Sequence, residues 1–349
     1  MKALVYNGPQ KLGVEDRPKP ELKESTDAIV RVLHTSICGT DLHILKGDVP
    51  TVDKGRILGH EAVGVVESTG SAVSGLQTGD KVLISCVSAC GVCGPCRKGL
   101  CSHCAYGGWI LGNTIDGTQA EYVRVPHATS SLFKLSDKID VRTAVVLSDA
   151  FPTALECGTL SSHVQPGNTV AIIGAGPVGI AALMTAKLYS PSLIAVVDTN
   201  DARLKKAKEL GAHETVNSAQ TDAKSALNAL TDGRGFDSVI EAVGVPATFE
   251  LCQGIIGVGG SIANLGVHGK PVTLHLENLW DRNISKCLIS RMVSDTHLQL
   301  ADIRASLVDA TTTPMLLLFP FNDVLKAYAT CKEAAKEEAM KIVIDIAEA

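Results

Sequence analysis

The first 150 residues of the chain alternate short apolar runs with breaks that contain Gly and Pro. The clearest runs consist mostly of Val, Ile and Leu, and they lie at 28–33, 62–67 and 81–84. Turn signals such as Thr78-Gly79-Asp80 separate them. Short β-branched runs between turn residues are typical of strands. The pattern therefore predicts a β-rich, barrel-like domain that carries loops.

The pattern changes near residue 166, where apolar strands begin to alternate with helices. The predicted elements are a strand at 170–173, a helix at 177–188, a strand at 193–197, a helix at 201–210, a strand at 238–240, a helix at 248–256 and a strand at 261–265. Gly211 provides the C-cap of the second helix. Strands that alternate with helices of about 10–15 residues form a parallel sheet with right-handed crossovers. A helix near 322–335 and a strand at 341–344 are predicted beyond this α/β region.

Length and charge narrow the class of protein. At roughly 150 residues per domain, the 349 residues predict two domains. The hydrophobic share of 45% and the charged share of 20% are ordinary for a globular protein and exclude a disordered scaffold. The 32 basic and 37 acidic residues give a net charge of -5 without a long block of either sign. Because a nucleic-acid surface needs clustered Lys and Arg, we expect no nucleic-acid partner.

The sequence shows no export or membrane signal that we recognise. Its first residues lack the apolar stretch of a secretory signal peptide. The longest uncharged apolar run, 170–186, contains Gly174, Gly176, Pro177 and Gly179, and it is shorter than the roughly 20 residues of a membrane span. We therefore expect a cytoplasmic protein without a membrane partner.

A glycine-rich turn follows the first strand of the α/β region and opens its first helix. It reads Gly174-Ala175-Gly176-Pro177-Val178-Gly179, and Asp198 ends the next strand about 20 residues later, as in a dinucleotide-binding fingerprint. The glycines permit a tight turn and the approach of a pyrophosphate to helix N–H groups. Asp198 favours NAD over NADP, because a carboxylate binds ribose hydroxyls and repels a 2′-phosphate. A turn that binds no nucleotide is the alternative.

Five of the eleven cysteines lie within fifteen residues. Thiols in a reducing compartment rarely form structural disulfides, so a tight cluster indicates a metal site. Two sets have the spacing of zinc ligands: Cys90, Cys93, Cys96 and Cys104, or Cys93, Cys96, Cys101 and Cys104. Four thiolates leave no open position on zinc, so we expect a structural metal. A cluster of unmetallated thiols is the alternative.

Three other residues provide the mixed ligand set of a catalytic zinc. Cys38, His60 and Asp149 each lie beside an apolar run. One Cys, one His and one carboxylate leave a fourth coordination position open. Each residue is a weak signal alone, because a lone Cys is commonly part of a core and a lone His is commonly structural.

Together these motifs resemble the zinc-dependent medium-chain alcohol dehydrogenase family over nearly the whole chain. The motifs are Cys38-Gly39-Thr40-Asp41-x-His43, Gly59-His60-Glu61-x2-Gly64, the cysteine cluster, Gly79-Asp80-x-Val82 and the glycine turn with Asp198. The resemblance implies an α/β protein with a GroES-like catalytic domain at 1–150, completed by 287–349. A Rossmann domain, a doubly wound parallel sheet that binds NAD, is implied at 151–286. Asp149 and Trp109 resemble most the secondary-alcohol dehydrogenase and ketone reductase branch.

The family also implies a role for each matched residue. It selects Cys90, Cys93, Cys96 and Cys104 for the structural zinc and leaves Cys101 spare. A zinc on Cys38, His60 and Asp149 acts as a Lewis acid toward the alcohol, whose hydride passes to NAD while Thr40 and His43 relay its proton. Glu61 lies behind the metal or ligates it transiently, with orientation of the local backbone as the alternative. We assign to the cofactor Gly174, Gly176, Pro177, Val178, Gly179, Asp198, Arg203, Val243, Gly266 and Val267.

The substrate is the least defined expectation. Alcohols, secondary ones first, and the matching ketones or aldehydes are the implied substrates, and Cys86 and Trp109 are candidates for the pocket wall or for plain core packing. A polyol dehydrogenase of sorbitol or butanediol type and a zinc-free, non-catalytic dinucleotide-binding protein are the rival functions. We expect a homodimer or homotetramer, although 288–319, which should supply cofactor and subunit contacts, follows the family pattern poorly.

Overall fold

The computed structural model describes residues 1–288, 316–333 and 340–346. Contacts between Cα atoms divide the chain into two compact units. The first unit comprises Met1–Asp149 and Arg291–Ala349, and the second comprises Ala150–Ser290. Most of the 288–319 stretch lies outside the described residues. Within the described ranges, no helix is both long enough and apolar enough to cross a lipid bilayer.

The described strands, in chain order, are β1 (Lys2–Tyr6), β2 (Leu12–Asp16), β3 (Ala28–Ile37), β4 (Arg56–Ile57), β5 (Ala62–Thr69), β6 (Lys81–Ile84), β7 (Tyr122–Val125), β8 (Leu132–Lys134), β9 (Thr169–Ile173), β10 (Leu193–Asp198), β11 (Glu214–Asn217), β12 (Phe236–Glu241), β13 (Ile256–Asn264), β14 (Ser285–Leu288), β15 (Leu316–Pro320) and β16 (Lys341–Asp345).

The described α-helices are α1 (Gly39–Lys46), α2 (Gly94–Arg97), α3 (Ala128–Ser131), α4 (Val141–Ala144), α5 (Ala150–Pro152), α6 (Pro177–Lys187), α7 (Asp201–Glu209), α8 (Ala223–Ala229), α9 (Pro246–Ile255) and α10 (Val324–Lys332). A π-helix, Thr153–Leu160, follows α5 directly, and the sequence pattern did not predict it. Short 3₁₀ turns lie at Cys101–His103, Val145–Leu147, Leu276–Asn278 and Phe321–Asp323.

The first unit is built mainly from strands, as predicted. One sheet has the order β2-β1-β4, and a seven-stranded sheet has the order β15-β16-β3-β5-β6-β8 with β7 paired to β3. Strand β3 continues beyond its predicted end at residue 33 to Ile37, because its last residues pair with β16. The partner strand lies at the other end of the chain, so the local pattern could not reveal this extension.

The second unit contains a six-stranded parallel sheet with the order β11-β10-β9-β12-β13-β14. This is the strand order of a doubly wound Rossmann sheet, which confirms the predicted fold class. Strands β11 and β14 and helix α8 were not predicted, since these segments are short and β11 is largely polar. Because β14 reaches Leu288, the predicted domain boundary at 287 falls inside this sheet.

Each unit has an apolar core of its own. In the first unit, Leu4 and Val30 pack in one buried cluster with Phe321 and Ile342 from the C-terminal segment. In the second unit, the cluster lies on the sheet and includes Ala171, Val239 and Ile262. Residues of β16 and the segment around α10 are therefore part of the first core, and the end of the chain completes that unit.

Candidate metal centres and dinucleotide-binding turn

Cys38 lies at the junction between β3 and α1. It is the N-cap residue of α1, with an extended backbone at φ -99° and ψ 156°. Its backbone N–H donates to Oδ2 of Asp41 at 2.9 Å, three residues into the helix. A carboxylate that accepts from the N-cap N–H holds the first turn of a helix. The capping interaction therefore fixes the backbone from which the Cys38 thiol projects.

His60 follows a glycine that no other residue can replace without displacing its neighbours. Gly59 has a left-handed φ of +94°, and a Cβ atom there would lie 2.6 Å from Oγ1 of Thr118 and 2.9 Å from the backbone nitrogen of Gln119. Only glycine adopts this backbone in so little space. The tight turn before β5 carries the His60 side chain into the interior, where it is buried.

Asp149 completes the group from a third part of the chain. The preceding Ser148 donates from its hydroxyl to the carbonyl oxygens of Ile84 and Ala62, at 2.7 and 3.1 Å, and so ties this segment to β5 and β6. Oδ2 of Asp149 lies 3.4 Å from Nε2 of His60 and 3.8 Å from Sγ of Cys38. The strands thus bring together three side chains that are far apart in sequence.

The donor atoms fit a tetrahedral zinc. Ligands about 2.0–2.3 Å from such an ion lie about 3.3–3.8 Å from one another. The two distances from Asp149 agree with this spacing, and the ligand atoms of Cys38, His60, Glu61 and Asp149 all lie within 4.8 Å of one another. One thiol, one imidazole and one carboxylate form the ligand set of a catalytic zinc site that keeps an open position.

Glu61 belongs to the same group and has a cationic partner. Nζ of Lys341, at the start of β16, lies 2.5 Å from Oε2 of Glu61, and the Ser36 hydroxyl donates to the same oxygen. Oε1 has no hydrogen-bond partner among the described residues. Burial would lower the pKa of Lys341, but the Glu61 charge outweighs it and holds that pKa above its usual range. One oxygen of Glu61 is therefore anchored, and the other is available.

The two predicted proton-relay residues lie on α1, three positions apart and so on one face of the helix. Oγ1 of Thr40 lies 3.7 Å from Sγ of Cys38. Nδ1 of His43 lies 2.9 Å from Oδ2 of Asp48, and the His43 side chain is 25% exposed. Thr40 therefore lies beside Cys38, and His43 is partly exposed on the same helix.

Cys86 and Trp109 both lie against the ligand group. The Cys86 thiol donates to Oδ1 of Asp149 at 3.5 Å. Burial, with a further contribution from Asp149, raises the pKa of Cys86 well above its usual range, so this thiol keeps its proton. The ring of Trp109 packs edge-on against His60, with ring centroids 5.9 Å apart. Its buried indole N–H has no acceptor among the described residues.

The cysteine cluster forms a second, separate group. The sulfur atoms of Cys90, Cys93, Cys96 and Cys104 lie within 4.8 Å of one another, and those of Cys93 and Cys104 are 3.9 Å apart. The separation suits two thiolates on one tetrahedral zinc. Hydrogen bonds from the N–H groups of Ala105 and Cys96 lower the pKa of Cys93 to about 6 and favour its thiolate, whereas burial raises the pKa values of Cys96 and Cys104. Cys101 lies outside this group, so the geometry favours the first of the two possible ligand sets.

The glycine turn has the shape that a dinucleotide needs. Gly174 has a φ of +107°, and a Cβ atom on Gly179 would lie 1.8 Å from the carbonyl oxygen of Gly174. A Cβ atom on Gly176, the N-cap of α6, would meet nothing within 4 Å, so this side of the turn is open to a ligand. Asp198 accepts from the N–H groups of Ala175 and Asn200, at 2.7 and 3.0 Å, at the end of β10.

The other predicted cofactor residues lie on this unit as well. Val243 follows β12, and Gly266 and Val267 follow β13, at the carboxyl ends of neighbouring parallel strands, where ligands of such sheets bind. Arg203 lies in α7, just after β10, and its Nε is buried without a hydrogen-bond partner among the described residues. The fold therefore places these residues along one edge of one sheet.

Comparisons with known proteins agree with this geometry. The alcohol dehydrogenase GroES-like domain model matches residues 24–137, and the zinc-binding dehydrogenase model matches residues 177–303. An alcohol dehydrogenase from Cupriavidus necator is 36% identical over 313 residues, with 82% of this chain and 83% of the relative covered. The chain belongs to the zinc-dependent medium-chain alcohol dehydrogenase family. It is a zinc-type alcohol dehydrogenase with two candidate zinc sites. The two sites argue against the alternative of a zinc-free, non-catalytic dinucleotide-binding protein.

Solved structures extend the likeness over the whole chain. Zinc-dependent alcohol dehydrogenase 2 from Streptococcus pneumonia, in its apo form, is 47% identical, with a TM-score of 0.93 and 99% and 98% of the two chains covered. An alcohol dehydrogenase from E. coli CFT073 in complex with NADH is 26% identical, with a TM-score of 0.88 over 99% of each chain. A structure from Sinorhizobium meliloti 1021 bound to NADP is 25% identical, with a TM-score of 0.84 over 99% of each chain.

Three residues of this dehydrogenase lie beside predicted site residues, although the sequence analysis gave them no role. Asp41 faces Nδ1 of His60 at 4.0 Å, and Lys341 pairs with Glu61. Glu241 is fully buried at the end of β12 and accepts from the N–H groups of Val243 and Gly244, at 3.0 and 2.9 Å. The position of Asp41 three residues after Cys38 was a usable signal. No sequence signal indicated the contact of Lys341 with Glu61, because these two residues lie far apart in the sequence.

Proposed function

We propose that this alcohol dehydrogenase uses NAD, that its catalytic zinc is held by Cys38, His60 and Asp149, and that it interconverts secondary alcohols and ketones. The proposal rests chiefly on Asp149, whose Oδ2 lies 3.4 Å from His60 Nε2 and 3.8 Å from Cys38 Sγ. An aspartate in this place is the feature by which the sequence resembles the secondary-alcohol branch. Cys90, Cys93, Cys96 and Cys104 would hold the structural zinc.

Zinc bound at the first set supplies a Lewis acid for alcohols and ketones, and bound NAD supplies the hydride acceptor. The residues of the protein itself then determine the charge around the zinc site and the path of the alcohol proton. Thr40 Oγ1, beside Cys38, would take the alcohol proton, and His43, oriented by Asp48, would pass it to solvent. Such acid–base help is typically worth about 10²–10⁴-fold in rate. Lys341 offsets the charge of Glu61 inside a group that is otherwise acidic.

The preference for NAD is supported by Asp198. Its carboxylate lies at the end of β10 beside the open side of the glycine turn, where a ribose hydroxyl can donate to it. The same negative charge would repel a 2′-phosphate. The two structural neighbours with bound cofactor hold different dinucleotides, so the argument for NAD comes from this residue. Arg203, Val243, Gly266 and Val267 would line the rest of the site.

Domain roles and assembly form part of the same proposal. The first unit would be the catalytic domain, and the second unit would be the NAD-binding domain, of a cytoplasmic homodimer or homotetramer. Two large apolar side chains of the second unit support an assembly: Trp280 is 78% exposed and Leu276 is 61% exposed. Exposed apolar patches of this kind are commonly covered by another subunit.

A polyol substrate is the second candidate. It is favoured by the buried indole N–H of Trp109, which has no acceptor within the described ranges and lies on a ring packed against His60. A second hydroxyl on the substrate could accept from it. The thiol of Cys86 already donates to Asp149, so it does not provide a hydrogen-bond donor for such a substrate.

Metal analysis and a substrate panel test the proposal. We expect about two zinc ions per chain, and higher kcat/KM for secondary alcohols with NAD than for sorbitol-like polyols or with NADP. A panel on which polyols are turned over most efficiently would favour the second candidate. One zinc per chain, or equal efficiency with both dinucleotides, would contradict the corresponding part of the proposal.

A further inference from the structure

A chain of buried hydrogen bonds leads from the C-terminal helix α10 toward His60. The Tyr328 hydroxyl donates to Oε1 of Gln119 at 2.8 Å. Nε2 of Gln119 donates to the Ser36 carbonyl oxygen at 3.2 Å and to Oδ2 of Asp41 at 3.3 Å. Tyr328 is 2% exposed, and Gln119 and Asp41 are fully buried. Water therefore cannot substitute for these contacts.

The groups in this chain have one consistent arrangement. The Ser36 carbonyl and the Asp41 carboxylate only accept hydrogen bonds, so the NH₂ end of the Gln119 amide must face them. The amide oxygen is then left for Tyr328, whose hydroxyl has to donate. Burial raises the pKa of Tyr328 well above its usual range, which keeps that proton in place. Reversal of the amide would place two acceptors against each other.

At the His60 end of this series of hydrogen bonds, the two oxygens of Asp41 have different neighbours. Oδ2 accepts from the Cys38 N–H and from Gln119. Oδ1 has no hydrogen-bond partner among the described residues and lies 4.0 Å from Nδ1 of His60, whose Nε2 faces Asp149. A histidine that binds metal through one nitrogen commonly donates from the other to a carboxylate, which fixes its tautomer and orientation.

We propose that Tyr328 and Gln119 are positioning residues for the catalytic zinc. By holding Oδ2 of Asp41, they turn Oδ1 toward His60 and so fix the imidazole for metal binding. Retention of the catalytic metal thereby depends on α10, a helix that supplies no ligand. The inference rests on the proposed function, because it requires His60 to be a zinc ligand.

The test follows zinc release from the fully loaded enzyme into an excess of a chromophoric chelator. Wild-type enzyme should lose two zinc ions per chain in separate phases. Because partners of metal-bound histidines typically contribute about 10–100-fold to metal affinity, Gln119→Met should accelerate the catalytic phase by about that factor. Tyr328→Phe, which removes one hydroxyl, should accelerate it by about 10-fold. The phase of the four-thiol site should stay unchanged in both variants.

Tyr6→Phe is the matched control, because Tyr6 is another buried tyrosine of the same apolar core. Its release phases should equal those of the wild type. Cobalt substitution adds a spectroscopic signature: the visible bands of cobalt at the Cys38 site should shift in Gln119→Met and Tyr328→Phe but not in Tyr6→Phe. A general loss of stability would instead accelerate both phases.

A double variant separates a linked chain from two independent contacts. If Tyr328 acts through Gln119, the Tyr328→Phe/Gln119→Met enzyme should release catalytic zinc no faster than Gln119→Met alone. The inference would be overturned if the two substitutions multiplied each other's effect on the release rate of the catalytic zinc. Unchanged release in the single variants, or equal acceleration of both zinc phases, would also overturn it. If Gln119→Met does not fold, Tyr328→Phe with its control decides. A wild-type enzyme that holds one zinc per chain would contradict the proposed function itself.

Discussion

The Lys341 ammonium group lies 2.5 Å from the Glu61 carboxylate, although only 6% and 1% of these side chains are exposed. Removal of one partner from a buried ion pair leaves an uncompensated charge, which costs about 3–5 kcal/mol. Lys341→Met should therefore lower the free energy of unfolding by about that amount in denaturant titrations. Because the pKa of Lys341 is raised, the stabilisation should be fully present below the unfolded-state value of about 10.4 and should be lost only as the pH rises through the folded-state value.

The exposed pair between Lys81 and Asp137 provides the control, because its side chains are 46% and 94% exposed. Lys81→Met should cost at most about 1 kcal/mol. Lys341→Met/Glu61→Gln, which removes both charges, should recover much of the loss. A Lys341→Met enzyme as stable as the wild type would show that the pair contributes nothing.

Local patterns predicted the elements and motifs that short stretches of sequence determine. Strand β6 has its predicted bounds at 81–84, and the glycine turn opens a helix at Pro177 as expected. The Cys90 set was one of two candidates because spacing alone cannot rank them. In the structure, the sulfur atom of Cys90 rather than that of Cys101 lies with those of the other three cysteines, and this favours the first set.

Contacts between distant parts of the chain could not be predicted. Tyr328 and Gln119 are 209 residues apart, and neither carries a motif of its own. Helix α10 was predicted near 322–335 and is described at Val324–Lys332, but its pattern gave no indication that Tyr328 points to a polar partner. The strand at 341–344 was likewise predicted, whereas its pairing with β3, which brings Lys341 to Glu61, depends on the tertiary fold.

The structural zinc site predicts opposite outcomes for two neighbouring cysteines. Cys101→Ser should keep both zinc ions and most of the stability, because its sulfur lies outside the four-thiol group. Cys104→Ser should lose one zinc and lower the melting temperature, since a structural zinc contributes directly to folding free energy. Metal analysis and thermal unfolding measure both effects. Because Cys104 belongs to both candidate sets, loss of one zinc in Cys101→Ser as well would show that the set with Cys101 ligates the metal.

Asp198 should determine the dinucleotide preference. A hydrogen bond to a charged group contributes about 1.5–3 kcal/mol, so Asp198→Gly should weaken NAD binding by about 10- to 150-fold while it relaxes the bias against NADP. Asp198→Asn is the graded variant, because it removes the charge and keeps only one of the two oxygens that accept from Ala175 and Asn200. Fluorescence titration with NADH and NADPH gives both affinities. Equal affinities in the wild type would contradict this role.

His43 should behave as a relay residue that holds no metal. Its side chain is partly exposed and pairs with Asp48, so water can take over part of its role. We expect His43→Ala to keep both zinc ions and to lose about 10²-fold or less in kcat, with partial recovery at higher pH, where solvent accepts the proton more readily. Rates measured across a pH series test this, and a loss of zinc in the variant would identify His43 as a ligand instead.

Asp149 carries the most demanding prediction, because the third catalytic ligand was the least defined by sequence. A catalytic zinc needs three protein ligands and an open position, and Oδ2 of Asp149 is within 4 Å of ligand atoms of both Cys38 and His60. Asp149→Ala should therefore abolish turnover and release the catalytic zinc, while the structural zinc and NADH binding survive.

Cys157, eight residues further along, is the matched alternative, and it does not belong to either group of converging ligand atoms in the described part of the chain. Cys157→Ser should keep both zinc ions and most of the activity. Asp149→Asn adds a graded step: an amide keeps an oxygen donor but loses the negative charge, so it should bind the catalytic zinc more weakly than the wild type and more tightly than Asp149→Ala. If Asp149→Ala oxidised alcohol normally with both metals in place, while Cys157→Ser lost one, the catalytic site would be centred on a different residue.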